Sequence, residues 1–440
     1  MSEGIVMKIP EIFSDNMILQ RRKKICVFGN GSGNGYVEIC GKKSAFTCKN
    51  NCFCAFIPPL EAGGPYELTI KIDKEVTVIH NVLIGDVYVA AGQSNMELKL
   101  NETVDIEIEE NDNIRYFNEP HSFGQDKTPL YTNNGWQLST GDTPKSFSAV
   151  AYAFAKKVYA ETKIPIGIVS CNKGASRIDA WTDPKIVSSD LYQDFIKVHH
   201  PDLDLYGFNQ DGILYNNKLL NIVPFTNSGI LWYQGESNRY YDEGKHYDKM
   251  LELMISNWRN LWNDDLPFYC VQLMPYVDRD AKADWAIIRE KQVEATKKIK
   301  NTYLITLENS GDNEFIHPKY KNKIGVKLAN AVLKTQFSKE MEYTGPIYDK
   351  VEFGKSSITI TFTHADGLSL RGEKADDIYV IDQNDNKHEV NAKIEDSKLL
   401  LKWESDVNAK YVIMGYSNCP KHNLYNSAGY LASPFKIRYK

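Results

Sequence analysis

No stretch of this chain is long and apolar enough to span a bilayer, which takes roughly 18 to 20 consecutive apolar residues. The start, Met1-Ser-Glu-Gly-Ile-Val-Met-Lys8, has no charged segment leading into an apolar one, the form of a secretion leader. A cytoplasmic location is the expectation, although a chain whose leader had been removed would begin the same way. Cysteine is sparse, eight in 440 residues, too few for a disulfide scaffold. Four of the eight fall between Cys40 and Cys54, but Cys52-x-Cys54 is not the spacing that zinc sites favour. Free thiols are expected, and no metal or cofactor is called for. An excess of one charge is missing too: the net is −5, and Arg21-Arg22-Lys23-Lys24 is the one tight basic run. Neither a nucleic acid nor a membrane surface is therefore expected as a partner, and nothing in the sequence speaks to oligomeric state. The G-x-S-x-G turn of many serine hydrolases is also absent, because Met96 stands where its last glycine would be.

What the chain has is a change of pattern along its length. At about 150 residues per domain, this length suggests two to four domains. Residues 1–82 read as β: Leu68, Ile70 and Ile72 alternate with Thr69 and Lys71, and Gly/Asn/Ser-rich turns separate the pieces. Residues 83–342 alternate strands with helices. Val87 to Ala91 is an apolar strand. Helices are predicted over Ala149–Thr162, Tyr247–Trp262, Trp285–Ile299 and Asn322–Leu333, with strands over Ile164–Ser170, Pro267–Leu273 and Tyr303–Leu307. That alternation implies a parallel sheet covered by helices on both faces. Residues 343–440 return to β, with Ser357–Phe362, Leu399–Trp403 and Lys410–Met414 as strands. Whether the two β regions pack together or each flanks the α/β core is open.

Open α/β sheets place their chemistry at the carboxyl ends of the strands. Four polar loops fall at predicted strand ends: Gly92-Gln93-Ser94, Ser170 to Arg177, Gln234-Gly235-Glu236-Ser237-Asn238, and Gly311 to Pro318. Each has an ordinary reading: a turn serine, a loop histidine before proline, a satisfied strand-end amide, solvated loop charges. Together they hold what acyl transfer needs. Ser94 is the candidate nucleophile and His317 the candidate base. A carboxylate near the histidine, Glu314 or Asp312, would orient it. The N–H groups of Ser94 and Gly174, with the Gln234 amide, are candidate oxyanion donors. Gln93, Asn95, Arg177 and Glu236 are candidates for substrate contact, Arg177 toward a sugar carboxylate or else as a structural ion pair. Trp181, Tyr233 and Tyr240 would stack on sugar or pack in the core.

The chain resembles the sialate O-acetylesterase family, the larger SASA-type carbohydrate esterases of the SGNH hydrolase group. The resemblance is carried by Phe13 to Gln20, Leu60 to Thr69, Gly92-Gln-Ser-Asn-Met96, Phe147 to Val150, Ile178-Asp-Ala-Trp-Thr182, Trp232-Tyr-Gln-Gly-Glu-Ser-Asn238, Leu266 to Tyr269, Ile316-His-Pro-Lys319, Asn423 to Asn426 and Ser433 to Phe435. It implies an SGNH-hydrolase-like three-layer α/β domain flanked by sandwich-like β regions. It also implies a cofactor-free serine esterase that removes O-acetyl groups from a sugar or glycan, a sialate or else acetylxylan or another glycan. A glycan-binding protein with a decayed site is the non-enzymatic alternative. The related pattern has an aspartate three residues before the histidine. Glu314 fills that slot here, with Asp312 behind it, and a dyad oriented by a backbone carbonyl is the third option. Lys173 stands where the pattern has a bulky aromatic.

Overall fold

The computed structural model describes residues 6–121, 135–194, 207–308 and 313–440. Its organising element is the 18-residue strand Glu75–Gly92. The first half carries β-branched residues next to charged and polar ones, and it pairs antiparallel with Gly63–Ile72 among the N-terminal strands. The second half is continuously apolar, as a strand covered on both faces must be, and it lies between Ile166–Asn172 and Gly229–Tyr233, parallel to both. The strand runs unbroken through position 82, so the N-terminal β region and the central sheet share it. Along the central sheet the order is Thr302–Ile305, Phe268–Val271, Gly229–Tyr233, Glu75–Gly92, Ile166–Asn172, Asn111–Asn118 and Gln137–Ser139. Every neighbouring pair on this path is parallel except the last.

Helices cover both faces. Ala149–Thr162 packs on Asn322–Phe337, and Tyr247–Trp262 packs on Trp285–Lys298. In register, Tyr88 lies opposite Gly229, three residues before Trp232, so Tyr88 and Trp232 point to opposite faces. Tyr88 meets Phe154 of the first pair edge-on, and Trp232 meets Trp258 of the second. The first pair approaches closely because Gly325 has no side chain: a Cβ there would stand 2.6 Å from the Val150 carbonyl oxygen.

The N-terminal strands contribute Val27, Val37 and Ile70 to the same apolar core as the central sheet. The C-terminal region forms two four-stranded antiparallel sheets with a core of its own, including Ile358, Ile360, Val380, Leu399, Leu401 and Val412. Of the two arrangements left open by the sequence, the second is found: the N-terminal strands share the α/β core, and the C-terminal region adjoins the α/β part with a core of its own.

Candidate active site

The long strand ends at Gly92, whose φ of +131° and contact with the next strand suit only glycine: a Cβ would lie 2.1 Å from the Tyr233 carbonyl oxygen. The chain then turns into the single-turn helix Ser94–Glu97. Gln93 secures the turn, its Oε1 accepting from the Gly235 and Ser237 N–H groups at 3.4 and 3.3 Å. Ser94 is left half-buried at the sheet edge, its Oγ 2.7 Å from His317 Nε2. These atoms come from loops 223 residues apart in sequence. Burial pushes the His317 pKa below its ordinary value, the Lys321 ammonium adds to this, and Glu102 and Glu97 oppose it. A ring kept neutral in this way can accept a proton.

Of the two carboxylates expected behind the histidine, Glu314 is not there. Glu314 is exposed and makes no hydrogen bond or ion pair with His317. Just before it, the Asn313 carbonyl accepts from the Val277 N–H and its Nδ2 donates to Cys419 Sγ, which leaves Glu314 and Phe315 facing solvent. Asp312 lies outside the described residues. Among those described, no carboxylate hydrogen-bonds His317.

The expected oxyanion donors divide. At the first helical position the Ser94 N–H has no intrahelical acceptor, and none is found for it among the described residues. Gly174 lies against the serine, a Cβ there being 3.5 Å from Ser94 Cβ, but its N–H donates to Glu97 Oε2. Gln234 is fully buried with both N–H bonds committed, to the Ser176 carbonyl at 3.0 Å and Asn238 Oδ1 at 2.8 Å, while its Oε1 accepts from Tyr247. It braces its loop and has no free donor for an oxyanion.

Glu97 is the residue that sequence reasoning missed. Its Oε1 lies 2.8 Å from His121 Nε2, and the other ring nitrogen of His121 is 3.1 Å from Lys218 Nζ. Burial pushes Glu97 up, but the His121 hydrogen bond, the nearby charges and the Gly174 N–H outweigh it and hold the group at about 2. Its position one helical turn after Ser94 was the available signal.

The four candidates for substrate contact are all buried. Arg177 pairs with Asp179 at 3.0 Å and with Glu243 at 2.8 Å, the structural alternative of the two considered. Asn95 donates to Glu236 Oε1 at 2.6 Å. Trp181 and Tyr233 are core residues, and the Tyr240 hydroxyl donates to Asp280. Lys173, one residue before Gly174, sits over the Phe208 ring at 4.3 Å.

Comparison with known proteins agrees with the fold. Residues 84–334 match the family described as "Carbohydrate esterase, sialic acid-specific acetylesterase". The human sialate O-acetylesterase is 22% identical over 396 residues, covering 80% of this chain and 75% of its own. The mouse enzyme is 23% identical over 442 residues, covering 84% and 81%. A crystal structure of a carbohydrate acetylesterase from Xanthomonas citri superimposes with a TM-score of 0.85 at 27% identity, over 98% of this chain and 99% of that one. With more than half its length matched, the chain belongs to the carbohydrate esterase family of sialic acid-specific acetylesterases.

Proposed function

We propose that this esterase removes acetyl groups from sugar hydroxyls, with Ser94 as nucleophile and His317 as general base. The 2.7 Å approach of Ser94 Oγ to His317 Nε2 at the carboxyl edge of the sheet is the observation that supports this most. Ser94 Oγ attacks the acetyl carbonyl carbon while its proton passes to Nε2. The carbonyl oxygen, now an anion, takes the free Ser94 N–H and the Gly174 N–H, the second once Glu97 releases it. The C–O bond to the sugar breaks, and Nε2 returns the proton to the departing hydroxyl. Water, deprotonated by the same nitrogen, then attacks the acetyl-serine and frees acetate.

The sialate reading is the finer part of the proposal. Arg177 does not support it, since Asp179 and Glu243 neutralise it within the core. What supports it is the match of residues 84–334 to the sialic acid-specific acetylesterase family. Acetate release from 9-O-acetylated sialic acid and from acetylxylan, by wild type and by Ser94→Ala, tests both levels. The variant is expected to lose about 10³-fold or more. Equal rates in the two proteins would end the serine mechanism, and turnover of acetylxylan alone would end the sialate reading.

A further inference from the structure

His317 is aligned with Ser94 although no carboxylate stands behind it among the described residues. Its place is set by the chain on either side. Asn95, next to Ser94, donates through Nδ2 to the carbonyl of Ile316, next to His317, at 3.0 Å. The Val104 N–H donates to the Lys319 carbonyl at 3.3 Å. The Asp105 carboxylate accepts from the Lys321 and Asn322 N–H groups at 3.0 and 2.9 Å. Lys321, fully buried, turns its ammonium back to donate to Asn95 Oδ1 at 2.6 Å. The Asn95 amide is thus held from both ends, by a buried cation on its oxygen and by the buried carboxylate of Glu236 on its nitrogen. Burying two ionisable groups is costly unless they are hydrogen-bonded, and here the Asn95 amide bonds the Lys321 ammonium and one oxygen of Glu236. The segment after the nucleophile grips the segment carrying the base at both ends.

We propose that Asn95, Lys321 and Asp105 are positioning residues that hold His317 in register with Ser94, the task a third carboxylate performs in serine–histidine–acid sites. The proposal rests on the esterase reading above. None of the three touches the acetyl group, so their removal misplaces the base and leaves substrate binding intact. Lys321 also acts on the ring's proton: of the charges that bear on His317, Lys321 opposes protonation while Glu102 and Glu97 favour it.

The test is the pH profile of acetyl-ester hydrolysis by Lys321→Met, Asn95→Ala and Asp105→Ala, with Ser94→Ala in parallel and folding checked by the unfolding midpoint. Displacing a catalytic group by about 1 Å costs on the order of 10²-fold. Each folded variant is therefore expected to lose about that factor in kcat with little change in KM. In Lys321→Met the acidic limb also moves to higher pH, because the cation that opposed protonation is gone. Wild-type kcat in the folded variants, with Ser94→Ala inactive, overturns the positioning role alone. A wild-type rate in Ser94→Ala overturns the esterase reading and the positioning role with it. If Lys321→Met does not fold, the half-buried Asp105 decides: a wild-type kcat in Asp105→Ala overturns the proposal.

A second, independent inference comes from the N-terminal strands. Cys26 and Cys54 lie on one face of the antiparallel pair Ile25–Asn30 and Cys52–Ile57, with their sulfurs 2.8 Å apart. Cys26 is buried and Cys54 exposed, and the hydrogen bond between them, with the nearby Lys24 ammonium adding to it, favours the Cys54 thiolate over the opposing effect of desolvation. We infer that these two thiols are a disulfide-forming pair when a small-molecule disulfide is present. The Cys54 thiolate attacks one sulfur of that molecule and expels a thiolate. Cys26 then yields its proton and attacks Cys54 Sγ, expelling the second thiolate; two electrons pass to the small disulfide, which leaves as two thiols. After incubation with glutathione disulfide, unfolding and alkylation, wild type should show two fewer reactive thiols than its eight, with Cys26 and Cys54 in one cross-linked peptide. Cys54→Ser should keep all its remaining thiols reactive. Eight alkylated thiols in wild type, or a bond between other cysteines, would overturn the inference.

Discussion

Single residues decide whether the site can work. With His317 as the proposed base, its depressed pKa sets a sign: the ring must be neutral to take the serine proton, so kcat/KM falls as pH drops through that pKa. The acidic midpoint is expected below 6.5, the ordinary histidine value. A measured midpoint at or above 6.5 would contradict a ring whose protonation desolvation and Lys321 oppose. Gly92 makes a second test. Gly92→Ala places a Cβ against the Tyr233 carbonyl in a backbone region that L residues avoid. The strain alone is worth about 1–3 kcal/mol, to be read from denaturant unfolding, and because the shift falls two residues before Ser94, activity should drop with it. At this scale the sequence was partly legible. Ser94 and His317 stand together as their strand-end positions suggested. Arg177, Gln234 and Glu236 are polar residues at the same edge, and only tertiary contacts show that they face inward.

Whole elements were easier to read where periodicity was strong. The helices Ala149–Thr162 and Tyr247–Trp262 begin and end where the apolar pattern does. Asn111–Asn118 escaped notice because its apolar residues, Ile114, Tyr116 and Phe117, are few and follow a polar start. The long strand was underestimated because its two halves have different patterns, alternating and then continuous, and each half looks like a separate element. Tyr247–Trp262 is also where packing energy concentrates. Trp258 meets Trp181, Trp232 and Trp262, and its indole N–H donates to the Trp181 carbonyl at 3.0 Å. Trp258→Ala is expected to cost about 3–5 kcal/mol, seen as a lower unfolding midpoint. Because Trp181 follows the Gly174 loop in sequence, acetyl-ester turnover should fall in the same variant.

Across the whole molecule, the C-terminal β region is fastened to the catalytic part. Arg289, fully buried on the helix Trp285–Lys298, donates to the Ser417 carbonyl, and the Tyr276 N–H donates to the Asn418 carbonyl at 3.1 Å. His422 lies just beyond. Its Nε2 donates to the Ala432 carbonyl at 2.8 Å, and its Nδ1 is buried without a partner. Burial lowers its pKa to about 4, so the folded chain refuses a proton that the unfolded chain takes from about pH 6.5 downward. Stability is therefore lost as pH falls from 6.5 toward 4, by up to about 3 kcal/mol. Unfolding midpoints measured over that range should fall more steeply for wild type than for His422→Gln. Parallel slopes would contradict this.

The most direct test of the central claim is to label the native protein with a serine-directed organophosphonate and map the modified peptide by mass spectrometry. One adduct on Ser94 is expected, with esterase activity lost in proportion to labelling, and Ser94→Ala should remain unlabelled. An adduct on a different serine that abolishes activity, or full activity in a protein fully labelled at Ser94, would contradict it.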